Sequence, residues 1–447
     1  MPTIEFVGQS SQDPDNTAAN TSRLINLYRE AAGGRSPMVL KSVLGMAAFA
    51  DIDGVFLRAM REVRGVLYIA LGGGLYKVTA SGTVTLLGAI TESEDTTISS
   101  NNGKVTIAAG GDYFVWDGSA ITQPTTGGFS AIGDVGYIGQ RTILLEAGGR
   151  RVQPSDVADP STFDAGEVST TETRDDYNLR GVQIGSGFWI FKERSLEVWG
   201  QTTTGIKYAG LTIDRGLKAR GLLAEVPTGV FFVGNDNRAY IAAGQGLGPP
   251  ISNLAVETSI ATQLPTHAFY YADEGHEFYV IRFSDRPAWC FDIASGEWHE
   301  RAEGEDFGPW SAVSAVSAFG GHYVGTVLGD IYRLDRNDQD ATQPLYRRAV
   351  SKSLRMDGKR FRVSMLEFLG KVGFSSLGRP AKMMMRVSGD YGQTWGAPKE
   401  RSMGSLGDYD TRVVYHGLGQ HRSVTVDVTL SDPADLTLDA SATVEVA

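Results

Sequence analysis

Residues 386–395 read RVSGDYGQTW, and they place a carboxylate between hydroxyls: Ser388, Asp390, Gly392, Thr394 and Trp395 follow the spacing S-x-D-x-G-x-T-W. Two chemistries suit such a set. A carboxylate can serve in glycoside hydrolysis, which requires a second carboxyl group across the scissile bond. It can also tie a loop, with Asp390 accepting backbone N–H groups, Gly392 permitting the bend and Trp395 packing beneath. The second account needs no substrate, and the residues fit it without further partners.

Other candidates for chemistry are few. The six histidines, His267, His276, His299, His322, His416 and His421, fall in no metal-ligand spacing. His416 and His421 flank the Gly-rich turn GLGQ and read as turn or interface residues. The segment GQGLGPP (244–250) has no Lys-Ser/Thr and runs into Pro-Pro, so it is not a phosphate loop. No G-x-S-x-G occurs. The single cysteine, Cys290, sits among aromatics in RPAWCFDI and reads as a buried small hydrophobe; no intrachain disulfide is possible. No catalytic residue, metal ligand or cofactor site is assigned.

The turn motif resembles the Asp-box of sialidases. In those families the box lies away from the catalytic centre and recurs in several blades, whereas here it occurs once. A sialidase-like site would also need an arginine cluster, a Tyr nucleophile and paired carboxylates, and no local pattern picks these out.

The densest charge run is Arg347, Arg348, Lys352, Arg355, Lys359, Arg360 and Arg362, interrupted by Asp357 alone. It reads either as a solvated strand face or as an interface for DNA or an acidic partner. Charge is divided along the chain. Residues 346–447 carry 15 Lys and Arg against 11 Asp and Glu, and residues 1–345 carry 26 against 41, so the net of −11 splits into +4 and −15. The acidic part is unsuited to gripping phosphates over a broad surface.

The elements that would position these residues are strands. From Gly65 a hairpin pattern recurs, at Gly65, Gly103, Ile138, Gly185, Thr228, Gly275 and Gly320, in steps of 35 to 47 residues. Val, Ile, Tyr, Phe and Trp fill the runs, and Gly, Asn and Asp fill the joints. About 45 residues per unit fits one four-stranded propeller blade, with each hairpin as the middle strands and runs such as TVTLLGAI outside. The pattern predicts an all-β chain with a β-propeller over 51–345. Seven blades are expected, with six as the alternative, because the hairpin at Ile138 has a charged second strand that meets Pro154. KSVLGMAAFADI (41–52) is expected to join the last blade and close the ring. Trp-Asp occurs once, in VWDG (115–118), so the repeats carry no WD-repeat signature.

Residues 1–50 read as an extended arm with one apolar knot, Leu24-Ile25-Asn26-Leu27-Tyr28. The polar break DRNDQDATQPL (335–345) marks a boundary. Beyond it, 346–447 alternates as a compact β-sandwich that carries the Asp-box hairpin. The start has neither the basic nor the apolar region of a signal peptide, and no run of ~18 apolar residues could span a membrane.

At this point the chain resembles the packaged-DNA stabilisation proteins of short-tailed Salmonella-type phages. PTIEFVGQS, LINLYRE, SLEVWG, GHEFYVIRF, DIASGEWHERA, GDIYRLD and SGDYGQTW…GSLGDYDTRVVYHGLGQHRSVTVDVTLSDP carry the resemblance, in the same order along nearly the whole chain. Two departures are Arg29, where the family usually has Pro, and VLGM (43–46), where it tends to show a Thr-Pro-Gly turn. The resemblance implies a virion structural protein made in the bacterial host cytoplasm. It implies a six-fold tail hub, or nozzle, below the portal and adaptor, closing the DNA exit channel after packaging. The hub would anchor tail needle and tailspikes and let double-stranded DNA pass without sequence specificity. The competing readings are a tail-associated glycan hydrolase with a sialidase-like Asp-box and a free-standing propeller adaptor.

Overall fold

The computed structural model describes all residues except 1–2, 9, 12–20, 33–37, 53–55, 203–204, 245, 357–358, 376, 435 and 447. The chain is all-β, a β-propeller followed by a β-sandwich, with one α-helix among the described residues, Leu254–Thr262. Asn253 caps that helix, its side chain accepting from the amide of Val256 at 3.0 Å. No helix is long and apolar enough to cross a membrane among the described residues.

The fold divides into two compact units. The first comprises Met1–Ala47, Ala272–Trp310 and Leu334–Ala447; the second comprises Ala48–Tyr271 and Ser311–Arg333.

The second unit is built from four-stranded antiparallel sheets that follow one another along the chain. Leu57–Val63, Val66–Leu71, Gly74–Val78 and Val84–Ala89 form the first, and the fourth comprises Asn178–Ile184, Gly187–Lys192, Leu196–Thr202 and Gly205–Ile213. The expected hairpins are the second and third strands of these sheets, and TVTLLGAI supplies the outer strand Val84–Ala89. The doubtful hairpin after Ile138 forms: Arg141–Glu146 pairs with Arg151–Pro154, with Pro154 opposite Ile143. Pro is tolerated there because it ends its strand. The first strands of neighbouring sheets lie side by side: Leu57–Val63 next to Thr97–Asn101 and Ala312–Ala318, and Ile132–Ile138 next to Asn178–Ile184. Ile331–Asp335 has Gly45–Ala50 as its neighbour, so a strand from before the first sheet completes the last one, as 41–52 suggested. All seven hairpins are present: six lie in this unit, and the one at Gly275, His276–Phe283 with Ala288–Asp292, lies in the other.

Blade interiors are apolar with a few paired charges. In the fourth sheet Lys192 is fully buried, between Asp176 at 2.8 Å and Glu197 at 3.1 Å, and Trp199 Nε1 donates to Glu197 at 3.1 Å. Burial opposes the charge on Asp176, but Lys192, Ser195 and the Arg194 amide outweigh it and hold its carboxyl below the ordinary value.

The first unit contains the sandwich. One of its sheets runs His276–Phe283, Ala288–Asp292, Glu297–Glu303, Arg23–Ile25, Arg347–Val350, Ser423–Leu430, Lys382–Ser388, Lys399–Ser402. The facing sheet runs Leu27–Ala31, Met38–Ser42, Thr437–Val446, Phe361–Gly370, Val413–His416. Phe6, Leu24, Leu27 and Leu40 share a core with Leu366, Met383, Tyr415, Val426 and Leu438. The N-terminal segment is therefore extended, and its strands enter both sheets. Arg23–Ile25 pairs with Arg347–Val350 on one side and with Glu297–Glu303 on the other.

The chain changes sheet at Asn26. Its φ of 58° kinks the strand between Ile25 and Leu27, and Asn is among the residue types that tolerate this left-handed conformation. All its side-chain capacity is used: Nδ2 donates to the carbonyls of Ala302 (2.9 Å) and Tyr346 (2.7 Å), and Oδ1 accepts from Arg301 (3.0 Å) and the Ala302 amide (2.9 Å). Arg301 in turn pairs with buried Asp340 at 2.6 Å. Beside it, buried Glu300 accepts from Arg23 at 2.6 Å and from Ser11 Oγ at 3.0 Å. Arg29 is buried between Glu297 (3.1 Å) and Glu5 (3.5 Å), contacts a proline there could not make. The polar break 335–345 is partly interior: Asp340 and Leu345 are buried. Cys290 is fully buried, and burial pushes its thiol up.

Candidate functional site

The Asp-box forms a closed turn at the end of the strand Lys382–Ser388. Ser388 is buried, and its Oγ donates to Asp390 Oδ1 at 2.6 Å while accepting the amides of Asp390 (3.3 Å) and Gly392 (2.8 Å). Asp390 Oδ1 also accepts from the Thr394 amide at 2.8 Å, and Oδ2 accepts from Thr394 Oγ1 at 2.6 Å. Both carboxylate oxygens are engaged by the loop itself. Those bonds, Ser388 and Thr394 foremost, bring the Asp390 carboxyl down to about 2.

Tyr391 (φ 61°) and Gly392 (φ 86°) are both left-handed. A Cβ at Gly392 would come to 3.3 Å from Trp395 Cζ2, so the glycine is needed for the bend and for the ring beside it. Trp395 is half-buried, with the Arg386 guanidinium 5.2 Å from its centroid. It does not enter the core.

The basic run does not act as one surface. Arg347 is buried: it pairs with Asp338, and its Nε donates to Ser42 Oγ at 2.9 Å. A fully enclosed guanidinium is unavailable to a partner, so Arg347 drops out of the expected interface. Arg348 makes a two-pronged pair with buried Asp427, 3.0 Å for each contact, and Arg386 approaches the same carboxylate at 2.7 Å. Lys352 pairs with Glu5 at 2.7 Å. Arg355 lies over the Tyr391 ring at 4.6 Å, next to the Asp-box turn. Arg355, Lys359, Arg360 and Arg362 are exposed.

Register brings a further cation to this end. Arg355 is opposite Ser423, and Phe361 and Arg362 are opposite His421 and Gln420, so Arg422 joins the group from sixty residues further along the chain. Nothing in its local sequence, HRSV, marks it. Asn26 was legible only as a polar residue inside an apolar knot, a placement that demands buried partners.

His416 is exposed and His421 half-buried, with Nε2 2.7 Å from the Leu418 carbonyl oxygen. In the strand Glu297–Glu303, burial drives His299 down to about 4 and Glu297 up to about 7. Among the described residues no group of three or more His, Cys, Asp and Glu is placed to hold a metal ion.

Several solved structures resemble the chain at low identity. The Pan2 WD40 domain of Neurospora crassa has a TM-score of 0.46 at 9% identity, covering 68% of this chain and 99% of that one. A chain of a mitotic checkpoint complex gives 0.45 at 14%, covering 68% and 96%. BamB from Moraxella catarrhalis gives 0.42 at 11%, covering 68% and 93%. No curated protein matches the sequence. The family models are decisive by extent. Residues 8–338 match the one described as Bacteriophage P22 Gp10, beta-propeller, and residues 346–445 match the one described as Bacteriophage P22 Gp10, beta-sandwich. With both halves matched in order, the chain belongs to the Bacteriophage P22 Gp10 family of phage stabilisation proteins.

Proposed function

We propose that this phage structural protein is the tail hub, or nozzle, of its virion, and that it works by assembly and not by catalysis. It docks below the portal and adaptor ring as a hexamer, closes the DNA exit channel after packaging, and anchors tail needle and tailspikes. In this reading 51–345 is the propeller and 346–447 the sandwich that carries the structural turn. The observation that carries it is the co-linear match of both parts of the chain to one phage stabilisation family. The engagement of both Asp390 oxygens within their own loop supports a structural turn over a glycan hydrolase, because an acid or nucleophile must reach its substrate.

Mass spectrometry of purified virions tests the proposal. The chain is expected in mature particles, in a tail fraction together with portal and needle proteins; its absence from virions would overturn the hub in favour of a free-standing adaptor. Incubation of the protein with host surface polysaccharide is expected to release no reducing sugar. Release that disappears when a carboxylate is replaced would establish the hydrolase instead.

A further inference from the structure

The sandwich is chemically polarised along its strand Phe361–Gly370. At the Phe361 end stand five exposed cations, Arg355, Lys359, Arg360, Arg362 and Arg422. Arg360 and Arg362 flank buried Phe361, and alternation sends both to the outer face. Arg422 precedes Ser423, which is the register partner of Arg355. The charged groups of Lys359, Arg360, Arg362 and Arg422 make no ion pair or hydrogen bond among the described residues. Several other cations of this unit, Arg347, Arg348, Lys352, Arg379 and Arg412, have carboxylate partners, and Lys399 and Arg401 donate to backbone carbonyls. Of the described acids near the cluster, Asp390 is tied into its turn, and Glu445 lies opposite Met365, further along the strand; Asp357, within the run, lies outside the described residues.

At the Gly370 end stands a group of exposed large apolar side chains, Leu369, Phe374, Leu377, Leu406 and Tyr409, with the Phe374 and Tyr409 rings 5.1 Å apart, among exposed Arg379, Asp408, Asp410 and Arg412. The nine steps from Phe361 to Gly370 put about 30 Å between the two ends.

We propose that the cationic end is a contact site for the phosphate backbone of duplex DNA, read without regard to sequence. The proposal rests on the hub reading, which places DNA beside this protein. Four of the five cations are guanidinium groups, whose fork matches phosphate oxygens. The centre of a protein interface is depleted in charge and enriched in apolar side chains. Here the one large exposed apolar residue among the described residues is Met356, and the apolar set lies at the opposite end. That distribution favours phosphate over an acidic protein face, and it offers little to insert into a lipid surface. Among the described residues of 346–447 there is no helix to enter a groove, and the proposed contacts stop at the backbone.

The test is fluorescence anisotropy of the full-length protein with a short labelled duplex across a salt series. Five phosphate contacts give a log–log slope of about −4.5, a loss of roughly 500-fold in affinity between about 50 and 200 mM salt. The triple variant Arg360→Gln, Arg362→Gln, Arg422→Gln alters exposed side chains alone; its slope is expected to fall to about −1.8, roughly a twelvefold loss over the same range. An unchanged slope in a variant with wild-type melting temperature overturns the site, as does the absence of binding at the lowest salt. Binding to polyglutamate or to phosphatidylglycerol vesicles without binding to the duplex also overturns it, assigning the end to an acidic protein or to a lipid surface. Virion mass spectrometry separates the two failures: a chain present in particles that ignores DNA loses this site and keeps its hub role.

Discussion

Asp390 receives three side-chain and backbone hydrogen bonds from Ser388 and Thr394, and this residue-scale arrangement accounts for its low pKa without any substrate. Asp390→Ala leaves the Thr394 amide and the Ser388 hydroxyl without their acceptor and is expected to lower the melting temperature of the full chain. The pH dependence has a definite sign. The folded carboxyl titrates near 2 and the unfolded one near 3.8, so its contribution is complete above about pH 4 and disappears as pH falls towards 2. The gap in melting temperature between wild type and Asp390→Ala should therefore narrow as the pH is lowered through that window; a gap independent of pH would mean that the carboxylate is not what holds the turn. Trp395 is half-buried, so Trp395→Ala should cost well below the ~3–5 kcal/mol of a core aromatic.

At the scale of elements, the strand pair on either side of Asn26 is the join on which the first unit depends. Asn26→Ala removes four hydrogen bonds from buried groups and replaces a residue type that tolerates the left-handed region with one that does not. An unsatisfied buried group costs about 1–3 kcal/mol and more than one is left here, so a loss of about 3 kcal/mol or more is expected in denaturant unfolding. Asn26→Asp keeps both acceptor bonds and the local preference for this conformation, and should fall between the two. Wild-type stability in Asn26→Ala would show that the switch between sheets is held elsewhere. The buried pair Arg301–Asp340 next to Asn26 makes the neighbourhood unforgiving, because removing one charge strands the other.

At the scale of the whole molecule, residues distant in sequence share sheets. Deleting residues 1–31 removes Thr3–Glu5, Arg23–Ile25 and Leu27–Ala31, unpairs Arg347–Val350 and Glu297–Glu303 from the strand between them, and takes Phe6, Leu24 and Leu27 from the core. Hydrogen exchange should then show lost protection in 297–303, 347–350 and 423–430. Retained protection in those peptides would make the N-terminal segment a covering arm and not a structural strand.

Much of this architecture was legible in the chain. Hairpins are local: the run from Gly65 to Val78 carries its own alternation and its own turn glycines, so the seven repeats and the strands of 346–447 could be read without knowing what they pack against. The Asp-box turn is equally local, with every bond made inside seven residues. The cationic site was legible in part. Arg347 and Arg362 belong to one basic run, yet one is buried and the other exposed, because side chains alternate across a strand and the neighbouring strands decide which face is inside. Arg422 and Arg355 meet only because Ser423–Leu430 pairs with Leu354–Arg355. The fate of Asn26 followed from carbonyls at 302 and 346, far beyond any local window. Residue types and their period determined the strands; the pairing of strands across hundreds of residues determined which charges are buried, which are partnered and which face outward.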